Sequence, residues 1–168
     1  MATVRQVLLP EEAQQIGTSG FAPFDKAVGT NFPVGRLLYA GDADESAFWH
    51  LEAVDYGSGD WTVDIDWTAI DVTSGVVRWG VALAAITPES DSTDVETKAL
   101  ATEQTVDDTH LGTTAKRVMR ATIALSNLDS VAAGDECWLR IRRVGTNGAD
   151  TMLSDAALTM IRVSYSDT

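Results

Sequence analysis

The stretch that decides the fold class is Trp61-Thr62-Val63-Asp64-Ile65-Asp66-Trp67-Thr68. Every second residue in it is aromatic or β-branched and apolar, and the residues between are Thr or Asp. Strict alternation of this kind is typical of a strand with one buried face and one solvated face. We therefore expect the two tryptophans, the valine and the isoleucine to point into the core of a β-protein.

A second alternating stretch, residues 75–84, follows closely and places Trp79 and Leu83 on one apolar face. The residues between the two stretches, Asp71 to Gly75, are rich in turn formers. We therefore expect these two strands to form an antiparallel hairpin.

Six further stretches have the composition of strands, and short Gly-, Asp-, Asn- or Ser-containing segments separate them. They are residues 37–39, 47–54, 98–106, 117–126, 136–144 and 157–165. No crossover helix is evident between them, which disfavours a parallel sheet. The sequence therefore predicts an all-β fold, an eight-stranded antiparallel β-sandwich that is jelly-roll-like.

The first 34 residues have no sustained period of either kind. Turn formers separate isolated large apolar residues, among them Phe21, Phe24 and Phe32. We divide the chain into an extended N-terminal arm, residues 1–34, and a jelly-roll-like β-sandwich domain, residues 35–168. Such an arm could bind to its own domain, to another subunit or to a larger assembly. The alternatives to an extended arm are a flexible leader or a short helix at 11–16.

The net charge of −13 limits the partners that the chain can take. Twelve basic residues face 25 acidic ones, whereas binding to phosphates requires Lys and Arg in excess. Direct binding to nucleic acid or to an anionic membrane surface is therefore not expected. The N-terminus has no basic segment followed by a long apolar stretch, so we expect synthesis in a cytoplasm without a secretory signal.

The sequence offers little for catalysis or for cofactors. His50 and His110 are the two histidines and do not form a zinc-protease motif. Cys137 is the single cysteine and lies in an alternating stretch, where a buried, inert thiol is expected. We predict no enzyme activity, no catalytic residues and no cofactor.

Acidic residues suggest two further functions, glycoside hydrolysis and calcium binding, and each pattern also has a simpler structural explanation. Asp64 and Asp66 share one strand face, as the carboxylate pairs of glycoside hydrolases can, but alternating Asp on a solvated face is ordinary. Calcium could bind the acidic loop at 42–45 or the pair Asp91 and Asp94. Solvated acidic turns explain these loops better, and no metal site is predicted.

The one basic cluster is Arg140, Arg142 and Arg143. Alternation puts Arg140 and Arg142 on a common face, where they could pair with acidic neighbours such as Asp64 or Asp66 across a sheet. The functional alternative is a contact with a partner, since Arg is favoured at interfaces.

Three stretches together resemble small β-sandwich virion proteins of tailed bacteriophages. They are residues 61–67, residues 74–81 and the run Ala133-Gly134-Asp135-Glu136-Cys137-Trp138-Leu139-Arg140-Ile141-Arg142-Arg143. The resemblance covers roughly residues 47–166. It implies a jelly-roll-like subunit, often trimeric, that sits on the capsid as a decoration or cement protein.

The function expected from this resemblance is a capsid decoration protein that forms a homotrimer on the capsid exterior of a virion. It would stabilise the shell by binding the major capsid protein. The contact residues would be Phe21, Phe24, Phe32 and the three arginines of the basic cluster, Arg140, Arg142 and Arg143.

The alternative is a receptor- or carbohydrate-binding head domain of a phage tail fibre or spike. Exposed aromatic side chains would then stack on sugars, and Trp49, Trp138 and Tyr56 are the candidates. A third class, a cupin-like enzyme, lacks the histidine cluster that its metal site would need.

Overall fold

The computed structural model describes residues 2–17 and 19–167. Within them the chain forms ten β-strands and one 3-10 turn, Pro10–Glu12. The strands are β1 (Thr3–Leu8), β2 (Phe24–Ala27), β3 (Val34–Tyr39), β4 (Asp44–Glu52), β5 (Tyr56–Ala69), β6 (Val76–Ile86), β7 (Gln104–Thr109), β8 (Met119–Leu125), β9 (Glu136–Val144) and β10 (Ala156–Asp167). None of the described residues belongs to a helix long and apolar enough to cross a membrane.

The strands form two antiparallel sheets. The six-stranded sheet has the order β2-β3-β10-β5-β8, with β1 also paired to β10, and the four-stranded sheet has the order β4-β9-β6-β7. The predicted all-β sandwich is therefore confirmed, with ten strands in place of eight. The two additional strands are β1 and β2, which carry too few apolar residues to be recognised by periodicity.

The core lies between the two sheets. Trp61, Val63, Ile65 and Trp67 of β5 are all fully buried, as predicted. Apolar side chains of β6 and β9 face them from the other sheet. Burial of several aromatic side chains supplies much of the hydrophobic stabilisation, since each covers a large apolar area.

The expected hairpin between β5 and β6 is wrong. The two strands lie in different sheets and face each other across the core, with the rings of Trp67 and Trp79 6.3 Å apart. The segment between them therefore carries the chain from one sheet to the other. Turn-forming residues show that the chain reverses direction, but not whether it returns beside the same strand or across the core.

The N-terminal segment is extended, and it packs against its own domain. β1 pairs with β10 and β2 pairs with β3, while Gln14 forms an isolated bridge to Phe48. The helix considered at 11–16 does not form; the only helical turn described there is the 3-10 turn Pro10–Glu12. The division of the chain into an arm and a sandwich domain stays a prediction.

Candidate functional site

A depression lies on the outer face of the four-stranded sheet because its central strands carry side chains of very different size. Strand β9 points Trp138, Arg140 and Arg142 outward, since Leu139 and Ile141 face the core. The neighbouring strand β6 presents only Gly and Ala at the opposing outward positions. The directly opposed pairs are Gly80 and Arg142, Ala82 and Arg140, and Ala84 and Trp138.

Trp138 forms an aromatic pair with His50 on the adjacent strand. The two residues are direct cross-strand partners of β9 and β4, and their rings stack with centroids 4.8 Å apart and planes 13° from parallel. Nε2 of His50 lies 3.4 Å from a carboxylate oxygen of Glu136. His50 is exposed and Trp138 is half-buried, so the indole stacks on the imidazole and keeps part of its surface accessible.

The first depression, of about 390 Å³, lies beside Trp138. Six of its eight lining residues are apolar. The lining residues are Ile16, Phe48, Ala84, Val95, Lys98, Leu100, Trp138 and Arg140. Its volume and apolar lining fall in the range of small-molecule sites in proteins.

The walls of this depression come from two segments outside the sheet. On one side, the connection 87–103 between β6 and β7 is fixed where the Ala101 N–H donates to the Leu83 carbonyl, at 2.8 Å. On the other side, Gln14 and Phe48 exchange two backbone hydrogen bonds of 2.8 and 3.0 Å, which hold Ile16 close to β4. The walls are therefore tied to the floor by backbone hydrogen bonds.

A second depression, of about 470 Å³, lies on the His50 side of the aromatic pair. It is found where β4 ends and β9 begins, and it is more polar than the first. The lining residues are His50, Leu51, Glu52, Pro88, Gly134 and Glu136. We refer to the two depressions, with the stacked Trp138 and His50 between them, as the groove.

Glu103 ties the end of the connecting segment to the floor of the groove. Its two carboxylate oxygens accept hydrogen bonds from Arg140 and Arg142, each at 2.7 Å. The carboxyl group lies directly over Gly80, where an added Cβ would come within 2.5 Å of the Glu103 Cδ. The absence of a side chain at this position therefore allows one carboxylate to bridge two guanidinium groups.

Lys98 is paired in a similar way. Its Nζ lies 2.9 Å from the Asp129 carboxylate, which also accepts the backbone N–H of Ala85 at 2.9 Å. Both cations that line the first depression, Lys98 and Arg140, are therefore matched to a carboxylate of the same chain.

The predicted partners of the arginine cluster are wrong. Arg140 and Arg142 pair with Glu103, whereas Asp64 and Asp66 lie in the other sheet. There Asp64 binds Arg162, and Asp66 binds Arg120 through two bonds of 2.6 and 2.8 Å. The sequence could not show which strands are neighbours, so it could not assign these pairs.

Arg143 lies on the inward side of β9 and is fully buried. Its guanidinium binds the Asp150 carboxylate at 2.8 and 2.9 Å and the carbonyls of Tyr39, Ser154 and Met152. A buried charge requires such complete pairing. The Arg143 guanidinium is therefore fully paired within the interior and is not accessible to a partner.

The three phenylalanines proposed as contacts lie outside the groove lining. Phe21 is half-buried next to Ser46 of β4. Phe24 is 46% exposed in β2, and Phe32 is 69% exposed in the turn that follows. Their role in contacts with another chain stays a prediction.

Of the three aromatic residues predicted to stack on sugars, Trp138 is the one that lines the groove. Trp49 is 1% exposed, and its Nε1 donates to the Leu9 carbonyl at 2.9 Å. Tyr56 packs against Trp61 and Tyr165. Sequence reasoning missed Phe48 as a lining residue, although strand alternation places it, like His50, opposite to Trp49.

The second histidine and the cysteine are structural. Nδ1 of His110 accepts the Gly112 N–H at 3.0 Å, and Nε2 lies 3.0 Å from the Ala115 carbonyl. Burial raises the pKa of the Cys137 thiol from 9.0 to about 12. The thiol is therefore protonated and unreactive at neutral pH.

Two carboxylates of the acidic loop at 42–45 accept hydrogen bonds from donors of the protein itself. Asp44 accepts the backbone N–H and the hydroxyl of Thr146 at 3.0 and 2.9 Å. Glu45 accepts the Ala40 N–H at 2.7 Å, and burial raises the pKa of its carboxyl. Across residues 2–17 and 19–167, His, Cys, Asp and Glu side chains do not gather in threes as a metal site would require.

Neither a protein-family model nor a curated protein matches the chain. Solved structures do match it in fold. The CBM36-1 domain of a multidomain xylanase, from the hindgut metagenome of Trinervitermes trinervoides, has 12% identity and a TM-score of 0.53, with 98% of this chain and 100% of that chain covered.

Two other solved structures are also similar. The K1 cleaved adhesin domain of Lys-gingipain from Porphyromonas gingivalis has 12% identity and a TM-score of 0.50, over 97% of this chain and 99% of that chain. The carbohydrate-binding module CBM28, specific for non-crystalline cellulose, has 9% identity and a TM-score of 0.49, over 94% and 92%. At such identities the likeness concerns the fold.

The prediction of a capsid decoration protein is wrong. Two structures that share this fold with TM-scores of 0.53 and 0.50 are a carbohydrate-binding module and an adhesin domain, and the resemblance to virion proteins is supported only as far as a jelly-roll β-sandwich. The loose motifs that suggested it, a strand pair and a Gly-Asp turn before a strand, are features of β-sandwiches in general. The alternative prediction, a carbohydrate-binding head, agrees better with these structures.

Proposed function

We propose that this chain is a non-catalytic carbohydrate-binding domain and that the groove is its binding site. The observation that carries the proposal is the placement of Trp138. The other four tryptophans are at most 1% exposed and belong to the core, whereas Trp138 is half-buried in an apolar depression. Trp138 therefore presents an aromatic surface that the core does not use.

The groove offers the two kinds of contact that a sugar needs. One face of a pyranose ring carries C–H groups, which pack on aromatic and aliphatic side chains; Trp138 and Phe48 supply these. The ring also carries hydroxyl groups that lose water on binding and require new hydrogen bonds. The polar groups that border the same space are Lys98 and Arg140 in the first depression and His50, Glu52 and Glu136 in the second.

The extent of the groove favours a stretch of glycan over a single sugar. Depressions of about 390 and 470 Å³ lie on the two sides of the stacked aromatic pair. A chain of several sugar units could occupy both while its central unit contacts Trp138. Backbone hydrogen bonds hold the walls, so little ordering would be needed on binding and less affinity would be lost to entropy.

Tryptophan fluorescence provides a direct test. Acrylamide should quench mainly Trp138, and the Trp138→Phe variant should lose that accessible component. Neutral and acidic polysaccharides are then screened by affinity electrophoresis, and those that retard the protein should also protect Trp138 from acrylamide. If no polysaccharide of either class retards migration or protects Trp138, the proposal fails.

A homotrimer, a partnership with the major capsid protein and a location in a virion stay predictions. Native mass spectrometry of the purified chain measures the first directly: a single species at three times 18.0 kDa is expected for the trimer.

A further inference from the structure

We propose that the groove selects an uncharged glycan, because the cations that border it are already neutralised by carboxylates of this chain. This inference rests on the proposed carbohydrate site and specifies the chemical class of its ligand.

The first step concerns Arg140 and Arg142, the two guanidinium groups on the floor. Glu103 bridges them at 2.7 and 2.7 Å, with its own side chain only 16% exposed. Arg142 also lies 3.5 Å from the Asp44 carboxylate, so two carboxylates face the two guanidinium groups. Gly80 leaves the space that the carboxylate fills. The arrangement is fixed by its surroundings, so the two arginines are not free to turn toward an anionic ligand.

The second step concerns Lys98, the other cation in the lining of the first depression. Its partner Asp129 is held in place by the Ala85 N–H, and the lysine side chain is 20% exposed. An acidic sugar that approached Lys98 would have to displace a carboxylate that the backbone already orients.

The third step concerns the other side of the aromatic pair. Glu52 and Glu136 line the second depression with His50, so this end of the groove carries negative charge. The whole chain has a net charge of −13, which repels polyanions at long range. A uronic acid or sulfated sugar would lose hydration on entry and, among the described residues that line the groove, would meet no unpaired Lys or Arg.

Hydroxyl groups face no such penalty. A hydroxyl both donates and accepts, so it can bind the remaining N–H groups of Arg140 and Lys98 or a carboxylate oxygen of Glu103 without disturbing the charge balance. The same ion pairs that reject an anion therefore orient a neutral sugar.

The experiment compares binding of the same polysaccharide with and without added charged groups. The probes are the neutral polysaccharide that binds best in the affinity-electrophoresis screen and its carboxymethylated derivative. The wild-type chain should bind the neutral form and bind the carboxymethylated form at least about fivefold more weakly at low salt.

Glu103→Gln tests the role of the ion pairs, because it preserves the shape of the side chain and removes its charge. This variant should bind the carboxymethylated polymer about fivefold more tightly than the wild type does, and the gain should disappear at high salt. The matched control is Glu96→Gln, an exposed residue of the same connecting segment, which changes net charge equally and should give no gain. Circular dichroism and urea unfolding confirm that each variant is folded.

The outcomes separate the two proposals. A wild-type protein that binds the carboxymethylated form as tightly as the neutral one, with Trp138 protected in both cases, overturns the selection of uncharged glycans and leaves the binding site standing. A Glu103→Gln variant that is folded and shows no gain overturns the ion-pair mechanism. Failure of every polysaccharide in the first screen overturns the carbohydrate-binding function itself.

Discussion

The outer faces of the two sheets are built from the same alternation and end up with different surfaces. On the six-stranded sheet, Asp64 and Asp66 stand directly opposite Arg162 and Arg120 on the neighbouring strands. Each carboxylate forms an ion pair with the arginine opposite to it, and the paired side chains cover the outer face of this sheet. On the four-stranded sheet, the large residues of β9 stand opposite Gly80, Ala82 and Ala84, and space remains.

This difference shows that alternation defines which side of a strand faces out, while the size of the opposing residue decides whether that side can hold a ligand. Where a long side chain lies opposite a short one, as on the four-stranded sheet, a depression remains. Where two long side chains of opposite charge lie opposite each other, as on the six-stranded sheet, they fill the space between the strands. The connection 87–103 then adds a wall over one sheet and not over the other, because only the four-stranded sheet contains both β6 and β7.

The largest effect is expected from removing the aromatic platform. Trp138→Ala should weaken binding of the best neutral polysaccharide about 30-fold, because a buried aromatic anchor contributes about 2 kcal/mol or more at a binding site. Isothermal titration calorimetry measures the change. Arg162→Ala on the other outer face is the control and should leave the affinity unchanged; an equal loss in both variants would contradict the assignment of the groove.

Much of the fold could be predicted from the sequence, because periodicity reports burial directly. The alternation at 61–68 placed Trp61 and Trp67 in the core, where the structure has them. The bounds of β9, Glu136–Val144, were also predictable, since Cys137, Leu139 and Ile141 fall on one face and Arg140 and Arg142 on the other. Strand partners were not, because pairing depends on how the chain crosses between sheets, and local sequence carries no record of that.

The candidate site could be predicted only in part for the same reason. Trp138 was recognised as an aromatic residue that could stack on a sugar, and alternation placed His50 opposite to Trp49. The contact between them requires that β4 and β9 be neighbours. Glu103 lies within the predicted strand 98–106, whereas strand β7 begins at Gln104. Its pairing with the arginines therefore depends on the connection before β7, which the strand prediction did not separate.

A smaller effect is expected at the glycine beneath Glu103. Gly80→Ala adds a Cβ that would lie 2.5 Å from the Glu103 Cδ, so the carboxylate must leave its position between the arginines. Because the displaced group is the end of a flexible side chain and its ion pairs are partly exposed, we expect the free energy of unfolding to fall by about 1 kcal/mol, measured by urea denaturation. The control is Gly148→Ala, where the added Cβ meets open space; a similar loss there would contradict the explanation.

On the outer face of the six-stranded sheet, loss of an ion pair should lower the free energy of unfolding without changing the affinity for polysaccharide. Asp66→Asn removes the charge that two guanidinium nitrogens of Arg120 bind. Because the Arg120 side chain is 45% exposed, we expect only about 1 kcal/mol of destabilisation. Polysaccharide affinity should equal that of the wild type, and a reduced affinity would show that the two faces are not independent.

The smallest expected effect is a pH dependence of stability caused by Cys137. On strand β9, Cys137 faces the core, whereas its neighbour Trp138 faces the groove. Burial raises the pKa of the folded-state thiol from 9.0 to about 12, so the unfolded chain loses this proton at lower pH than the folded chain does. Stability is therefore lost as pH rises from about 9 toward 12, and the loss at pH 9 is about 0.4 kcal/mol. Urea denaturation at pH 7 and pH 9 should show this difference in the wild type relative to Cys137→Ala. Equal pH dependence in both proteins would place the thiol in contact with solvent and contradict the inward orientation of Cys137.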